Sequence, residues 1–556
     1  MKKAIRLTAL LLACLMCFSI LVACGDDEGE DSTTAPTTTN PGSTPATTTK
    51  PGPAITTAPG APNAEKWKDV SFEGETLKIE YNTHTHATME TAGATNSNKY
   101  ITGPDEYSPN GVDKALWERN KTVIDQLGMT IEYTTDKTSA VNELLPHYEQ
   151  MRTAGASPHI YITQNYGLVR AEVAGLLHNL KNDDANVTNY FVFEGAGSEG
   201  WYMDIMNSTT LSSNELYVAA GDFLLDSLRM SYNTFVNVSM FDEKFAIYDG
   251  MDYLYQLILE PSEYYADSAW SYDTMKTFAE AATTPNLQDE SLTVYGLLAN
   301  NFAYRSFFFS SGLDVFTYAA DGTPSYVTDI TDPANNLHDY TDALISLLGP
   351  RSEYLPLLGS AESGNVNCLE RFQNGLGLFM TDQFLCTLEG ARLQDMDDDV
   401  AVIPYPKYDL SKDYRVLVSD NSCSAGISGD SDPQGFTMAS AYMQMMTEYS
   451  NEVIRQYFDV SLKLKNNKAQ DPKQIEVLDL IREAVAEPMS FLFDNYVSRE
   501  ITDAENPYVA GGTASTIYDL LQHSVEGDSN SLSSGWARNI DDKRVKLAAV
   551  VLEFKN

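Results

Sequence analysis

Positive charge, cysteine pairs and long apolar runs are all scarce in this sequence. Lys and Arg number 37 against 78 Asp and Glu, a formal net charge of −41. A field of that sign repels nucleic acid and polyanionic polymers and argues against a nucleic-acid role, while leaving open what a local cleft binds. Of the six cysteines, Cys14, Cys17 and Cys24 fall at the start of the chain, leaving Cys368, Cys386 and Cys423. An odd number with no CxxC spacing argues against a disulfide framework or a zinc site. Three small buried core residues is the expectation, with one bridge among them left open. No G-x-S-x-G elbow, H-E-x-x-H helix or GxxxxGK[ST] loop occurs, and the seven histidines are scattered. His84 and His86 stand two apart at a strand end, on one face, which without a third ligand is a weak metal pattern. No cofactor or metal is implied.

The one strongly apolar run lies at 7–22, after Lys2, Lys3 and Arg6 and before Leu21-Val22-Ala23-Cys24-Gly25. A basic start, a short apolar stretch and small residues at the cut describe a secretory signal over 1–23. The run is shorter than the roughly 20 residues a spanning helix needs. Leu-Val-Ala-Cys resembles the lipobox of bacterial lipoproteins, which implies a lipid (palmitate among the acyl groups) on Cys24 and a protein that sits on a membrane without crossing it. Loss of Lys2, Lys3 and Arg6 with the leader would take the charge from −41 to −44.

Beyond Cys24, residues 26–31 are mostly acidic and 32–63 are mainly Thr, Pro, Ala, Gly and Ser. Such a stretch has no apolar surface to offset its ordering entropy, and its prolines favour extended conformations, so 24–65 reads as a spacer. Trp67 and the segment after it mark where folding starts. About 490 residues remain, too many for one simple core and suited to two lobes.

Those residues alternate strand and helix signals. Thr76-Leu77-Lys78-Ile79-Glu80-Tyr81 and Met129-Thr130-Ile131-Glu132-Tyr133 alternate apolar and polar side chains, as strands do. Between them Leu116, Val123, Ile124 and Leu127 share a helical face, and Gly128 supplies the stop. A second helical pattern through Val141, Leu144, Tyr148 and Met151 ends at Gly155, and Pro146 must kink it or begin it. Residues 158–163 return as a strand, followed by a helix through Leu168 and Val173. The alternation predicts an α/β fold of open sheets with crossover helices, with ligands beyond the carboxyl ends of the strands.

Seven short motifs follow in order. They are Ala154-Gly155-Ala156-Ser157-Pro158-His159-Ile160, Gly175-Leu176-Leu177-His178-Asn179-Leu180, a crossing strand ending in Tyr232-Asn233, Trp270-Ser271-Tyr272-Asp273 with Ser271 as N-cap, Phe372-Gln373-Asn374-Gly375 running to Phe379-Met380, Val402-Ile403-Pro404-Tyr405-Pro406-Lys407, and Ser424-Ala425-Gly426-Ile427. In this order they resemble the extracellular solute-binding proteins of ABC sugar importers, the maltose-binding-protein-like group. His159 departs from that group, where an aspartate is usual. The resemblance covers about 70–430, with the last ~100 residues matched only in being helical. It implies a two-lobed periplasmic-binding-protein-like (type II) fold. The lobes would be 66–222 with 421–462 and 223–420 with 463–556, crossed near 221–223, 419–421 and 460–466. It further implies an oligosaccharide ligand, hinge closure, ABC permease subunits as partners, and a monomer.

Candidate ligand-binding residues are the polar groups after strands and at the crossings: His84 with Asn82, Thr83 and Thr85; Gln164, Asn165 and Tyr166; Asp222; Asp382 and Gln383 with Thr381; Asp420 and Asn421. Among 32 tyrosines, 22 phenylalanines and 5 tryptophans, Trp201, Tyr202, Trp270 and Tyr304 are candidates to cover a pyranose face, whereas Phe307-Phe308-Phe309 reads as core. Each acidic or amide group has a rival role as a cap, and Trp270 a rival role in packing. A polyamine or peptide ligand, an extracellular carbohydrate-active enzyme and an adhesion lipoprotein remain alternatives.

Overall fold

The computed structural model describes residues 64–83, 98–104, 106–109, 111–136, 143–211, 214–261, 268–299, 303–355, 368–389, 393, 396–419, 421–458, 472–500 and 515–554, without the side chains of 382, 383, 499 and 500. All belong to one unit, Thr57–Asn556. Cys24, His84, His86, Asp420, the leader and the spacer as far as residue 63 lie outside the described residues, as does the expected crossing at 460–466; Ala64 and Glu65, expected in the spacer, instead open the short helix Ala64–Trp67.

Two separate four-stranded sheets organise the chain. The first holds β1 (Thr76–Asn82), β2 (Thr130–Asp136), β3 (Ile160–Gln164) and, from far along the sequence, β11 (Cys423–Ile427), in the order β11-β3-β1-β2. β1 is parallel to β2 and β3, and β11 is antiparallel to β3. The second holds β4 (Tyr232–Asn237), β5 (Tyr295–Leu298), β8 (Gly377–Phe384) and β9 (Val400–Ile403), ordered β5-β8-β4-β9, with β4 antiparallel to both neighbours. Each sheet thus receives its antiparallel strand where the chain arrives from the other. Two short pairings complete the set: the hairpin β6 (Phe316–Tyr318) with β7 (Pro324–Tyr326), and β10 (Val416–Leu417) parallel to β12 (Val485–Ala486).

Helices connect the parallel strands for the reasons the sequence carries. Gly111–Leu127 buries Val112, Ala115, Leu116, Val123 and Leu127, one stripe at 3.6-residue spacing. It stops where Gly128 takes φ +65°, a conformation that only glycine adopts freely. Leu144–Ala154 accommodates Pro146 in its first turn, where no N–H is needed, so the proline begins the helix. Tyr272–Ala282 opens on a capping box in which Ser271 accepts from Thr274 N and Thr274 from Ser271 N. Pro433–Glu448 starts with Pro433 in its first turn and Asp432 Oδ1 accepting from Gly435 N at 2.7 Å. Trp67 is fully buried, and its indole N–H donates to Glu448 Oε2 at 2.7 Å, tying the first folded turn to that helix. Cys368, Cys386 and Cys423 are buried, in line with the expectation of small core residues. No helix among the described residues is long and apolar enough to cross a membrane.

One motif sits differently from expectation. Tyr232-Asn233 begins β4 instead of ending a strand, because 226–229 is a helical turn closed by Arg229 N and Met230 N on the carbonyls of Leu225 and Asp226. Arg229 holds that turn in place. It is fully buried, bidentate to Glu389 at 2.7 and 2.8 Å, and 4.0 Å from the Tyr100 ring. Tyr457 donates to the same carboxylate at 2.7 Å. A guanidinium so fully satisfied favours the local turn over the extended backbone that the residues Leu228, Met230 and Tyr232 would otherwise accept.

Candidate functional site

The chain passes from the first sheet to the second between Ala219, which bridges Ala425 of β11, and Tyr232, which opens β4. It returns between β10 and β11, where Val418 bridges Ser231 and Ser419 N donates to Met230 O at 3.1 Å. The two crossings therefore run side by side.

The end of β3 locks onto the second crossing. Gln164 Nε2 donates to Asn421 Oδ1 at 3.0 Å. Asn165 N donates to Ser422 O at 3.0 Å, and its side-chain amide donates to Ser422 Oγ at 3.0 Å and Glu487 Oε2 at 2.5 Å. Gln164, Asn165 and Tyr166 are buried, the last with Arg170 5.9 Å from its ring. The structure thus brings Gln164, Asn165 and Asn421 together, as joinery between the end of β3 and the second crossing. Asp222, read above as an acceptor for ligand hydroxyls, accepts instead from the Tyr202 hydroxyl at 2.7 Å and from Arg482 Nε at 3.2 Å, while Arg482 Nη2 pairs with its other oxygen. Its geometry is right for a hydroxyl; the hydroxyl is the protein's own.

The aromatic candidates are core. Trp270 has no exposed surface and gives its indole N–H to Pro404 O at 2.9 Å, Tyr304 is buried, and Trp201 donates to Gln444 Oε1 at 3.2 Å. Phe307, Phe308 and Phe309 are buried, as expected. Thr381 is buried in β8; Asp382 and Gln383 lie in the same strand, where their side chains are outside the description.

A cavity of about 690 Å³ is lined by the segments 204–210, 312–322 and 412–415 with Met489. Its first wall is the short helix Met203–Ser208, which presents Asp204 and Asn207 three residues apart on one face, followed by Thr210. That helix forms because Ile205 and Met206 are buried beneath it, Tyr202 N is held by Ala220 O, and Thr209 Oγ1 closes it on Met206 O. The opposite wall is Tyr318 at the end of β6, Gly322 in the hairpin turn, and Lys412, Asp413, Tyr414 and Arg415 leading into β10; Met489 lies beneath.

Tyr318 is 46% exposed, unusual among the described aromatics, and is held by donating to Asp314 Oδ2 at 2.8 Å. Burial raises the Asp314 carboxyl, while Ser490, the Phe316 N–H and Tyr318 pull it back down. Tyr414 lies with Lys407 Nζ 4.4 Å from its ring centroid. Burial pushes its hydroxyl well above the usual phenol range, and among the described residues that hydroxyl has no hydrogen-bond partner. Arg415 sits 5.8 Å from the Phe309 ring. The lining therefore offers rings, carboxylates, an amide and both kinds of cation, in a volume suited to a small ligand. A second cavity, about 760 Å³, lies between Tyr272–Ala282 and Leu337–Leu348, on one side of the crossings only.

None of the residues lining the 690 Å³ cavity was singled out from sequence. The signals were present: Asp204-Ile205-Met206-Asn207, and the cluster Lys412-Asp413-Tyr414-Arg415. Neither follows the carboxyl end of a strand, and their adjacency depends on about 200 residues of intervening chain finding its place.

No family model matches the sequence, and no curated protein matches it. Solved structures do match in chain course. An ABC substrate-binding protein from Listeria monocytogenes in complex with cycloalternan aligns over 86% of this chain and 98% of its own, at 12% identity and a TM-score of 0.43. A cyclo/maltodextrin-binding protein complexed with maltotetraose aligns over 87% and 97%, at 14% identity and a TM-score of 0.46. The GacH receptor of Streptomyces glaucescens GLA.O, solved unliganded and with acarbose and an acarbose homolog, aligns over 87% and 100%, at 13% identity and 0.43. At these values the matches assign nothing to individual residues of this chain.

Proposed function

We propose that this chain is an extracytoplasmic binding protein, anchored by lipid on Cys24, that captures an oligosaccharide between two lobes and delivers it to the permease of an ABC importer. The observation that carries the reading is the 690 Å³ cavity, walled on one side by Asp204, Asn207 and Thr210 and on the other by Tyr318, Asp413, Tyr414 and Arg415. Rings cover the apolar faces of a pyranose, and carboxylates, amides and guanidinium groups take its hydroxyls. A ligand touching both walls binds the closed arrangement better than an open one, and that difference is what drives closure. The antiparallel crossings at 219–232 and 417–423 supply the hinge, between lobes 66–222 with 421–462 and 223–420 with 463–556. A leader-like start, a lipobox-like Leu-Val-Ala-Cys and a spacer in the sequence support a position outside the cell membrane. In this reading the protein works as a monomer and carries out no chemistry on its ligand.

A thermal-shift screen of the purified protein against neutral tri- to hexasaccharides, spermidine and short peptides tests this. A ligand at 100 times its Kd stabilises the native state by about 2.7 kcal/mol. A neutral oligosaccharide should raise Tm equally in low and high salt, emerge chemically unchanged, and lose at least about tenfold in affinity with Tyr318→Ala or Asn207→Ala. A shift with spermidine alone, abolished by salt, replaces sugar with polyamine. Consumption of the sugar replaces capture with hydrolysis. No shift with any ligand overturns capture altogether.

A further inference from the structure

Outside that cavity's lining, toward the carboxyl ends of β1 and β2, three side chains with metal-binding atoms converge. Within a strand, residues two apart share a face, so Glu80 and Asn82 point the same way. The parallel register sets Asn82 opposite Asp136 and Glu80 opposite Thr134, which places Asp136 on that face too. The helix Leu144–Ala154 lies over it, located by Tyr148 stacked on Tyr161 of β3 at 3.8 Å between ring centroids. Stacking of Tyr148 fixes the preceding residue, and His147 Nε2 reaches Glu80 Oε1 at 2.9 Å. One oxygen of each carboxylate and one nitrogen of His147 lie within 4.8 Å of one another. Glu80 and Asp136 are 5% and 8% exposed.

We propose that Glu80, Asp136 and His147 form a binding site for one divalent transition ion, of the Zn²⁺ class. The donor set decides the class. Two carboxylates and a neutral imidazole carry the charge that matches a divalent ion, and imidazole suits zinc and its neighbours, whereas Ca²⁺ and Mg²⁺ take oxygen alone. Ligand bonds of about 2.0–2.2 Å hold tetrahedral donors roughly 3.5 Å apart, so side-chain rotations of about 1 Å close the observed spacing. The ion takes the place of the hydrogen that Glu80 and His147 share, and water completes the fourth position. Asn82 Nδ2 already donates to Asp136 Oδ2 at 2.9 Å, the outer-sphere bond that orients a ligating carboxylate. None of the three residues lines the 690 Å³ cavity, so the site is independent of sugar capture. Its effect is to pin the helix Leu144–Ala154 to the carboxyl ends of β1 and β2.

The test uses the full-length protein dialysed against chelator, then titrated calorimetrically with ZnCl₂ and, separately, CaCl₂ and MgCl₂. One Zn²⁺ per chain should bind and raise Tm, with no response to Ca²⁺ or Mg²⁺. Glu80→Gln and His147→Gln should each weaken Zn²⁺ binding by about 10- to 100-fold, with the circular dichroism of the metal-free protein unchanged. Absence of Zn²⁺ binding at about 100 µM overturns the proposal, as does unchanged affinity in both variants. Loss of binding in His84→Gln/His86→Gln with full retention in His147→Gln overturns it too, by moving the ion to other histidines. Should His147→Gln fail to fold, X-ray absorption of the zinc-loaded wild type decides: one imidazole among oxygen donors supports the site, and two or more overturn it.

Discussion

Glu172 shows how far a single residue can depart from what its type implies. It lies in the helix Asn165–Val173, 3% exposed, with neither carboxylate oxygen in a regular hydrogen bond among the described residues. Burial pushes its carboxyl well above the usual range; the nearby Thr210 hydroxyl lowers it and Glu215 raises it again. In the unfolded chain the same group ionises near its ordinary value of about 4.3. Between that value and the folded one, the native state holds a proton that the unfolded state has lost. Stability contributed by the neutral acid is therefore complete at low pH and falls as pH rises through the folded value. Glu172→Gln, which imitates the protonated form, should melt with the wild type near pH 4 and clearly above it at pH 8. Scanning calorimetry across that range checks it, and parallel curves at all pH values would show that the buried acid is solvated after all. Asp222 teaches the converse: its position beside a hydroxyl and a guanidinium was chemically foreseeable, but that Tyr202 and Arg482 supply them was not.

Among the described glycines, the tightest approach to a neighbouring backbone is at Gly296 in β5. A Cβ built there would stand 1.9 Å from Ala279 O, within the backbone of the helix Tyr272–Ala282. Neither element can move alone, since β5 pairs with β8 and the helix is fixed by its capping box. Gly296→Ala should destabilise by about 3 kcal/mol or more. Gly155→Ala, where φ is +62° but the space is open, should lose only about 1 kcal/mol; urea unfolding of the pair separates overpacking from backbone strain. The elements themselves were largely legible in the sequence, because alternation at 76–81 and the stripe through Leu116, Val123 and Leu127 are local patterns that burial on one face enforces. Tyr232-Asn233 was misplaced because a long-range partner, Glu389, stabilises a turn where the local pattern permits a strand. The cavity wall escaped for the same reason. Tyr318 reads as one tyrosine among 32, and only the hairpin's tertiary position leaves it exposed. Trp270, by contrast, carried both readings, and the Pro404 carbonyl selected the packing one.

Across the whole molecule the excess of 41 negative charges has to be carried by a folded surface. Local pairing relieves little of it: surface pairs such as Lys121–Asp125 and Arg455–Glu452 are each worth at most about 1 kcal/mol. The cations that are well satisfied, Arg229 and Lys543, are buried against Glu389 and Asp494 and do not offset the outer field. Self-repulsion of like charges disfavours the compact state, and salt shortens its reach from about 30 Å at 0.01 M to about 3 Å at 1 M. The melting temperature should therefore climb by a few degrees between about 0.02 and 0.5 M NaCl. A neutral oligosaccharide brings no charge to the cavity, so its Kd should stay constant over the same range, whereas a polycation's would weaken steeply. Measuring both quantities on one sample separates the two origins: a rising Tm with constant affinity is the signature of an acidic shell around a neutral-ligand site. If Tm and affinity fall together with salt, the acidic surface is itself the binding determinant, and the ligand is a cation.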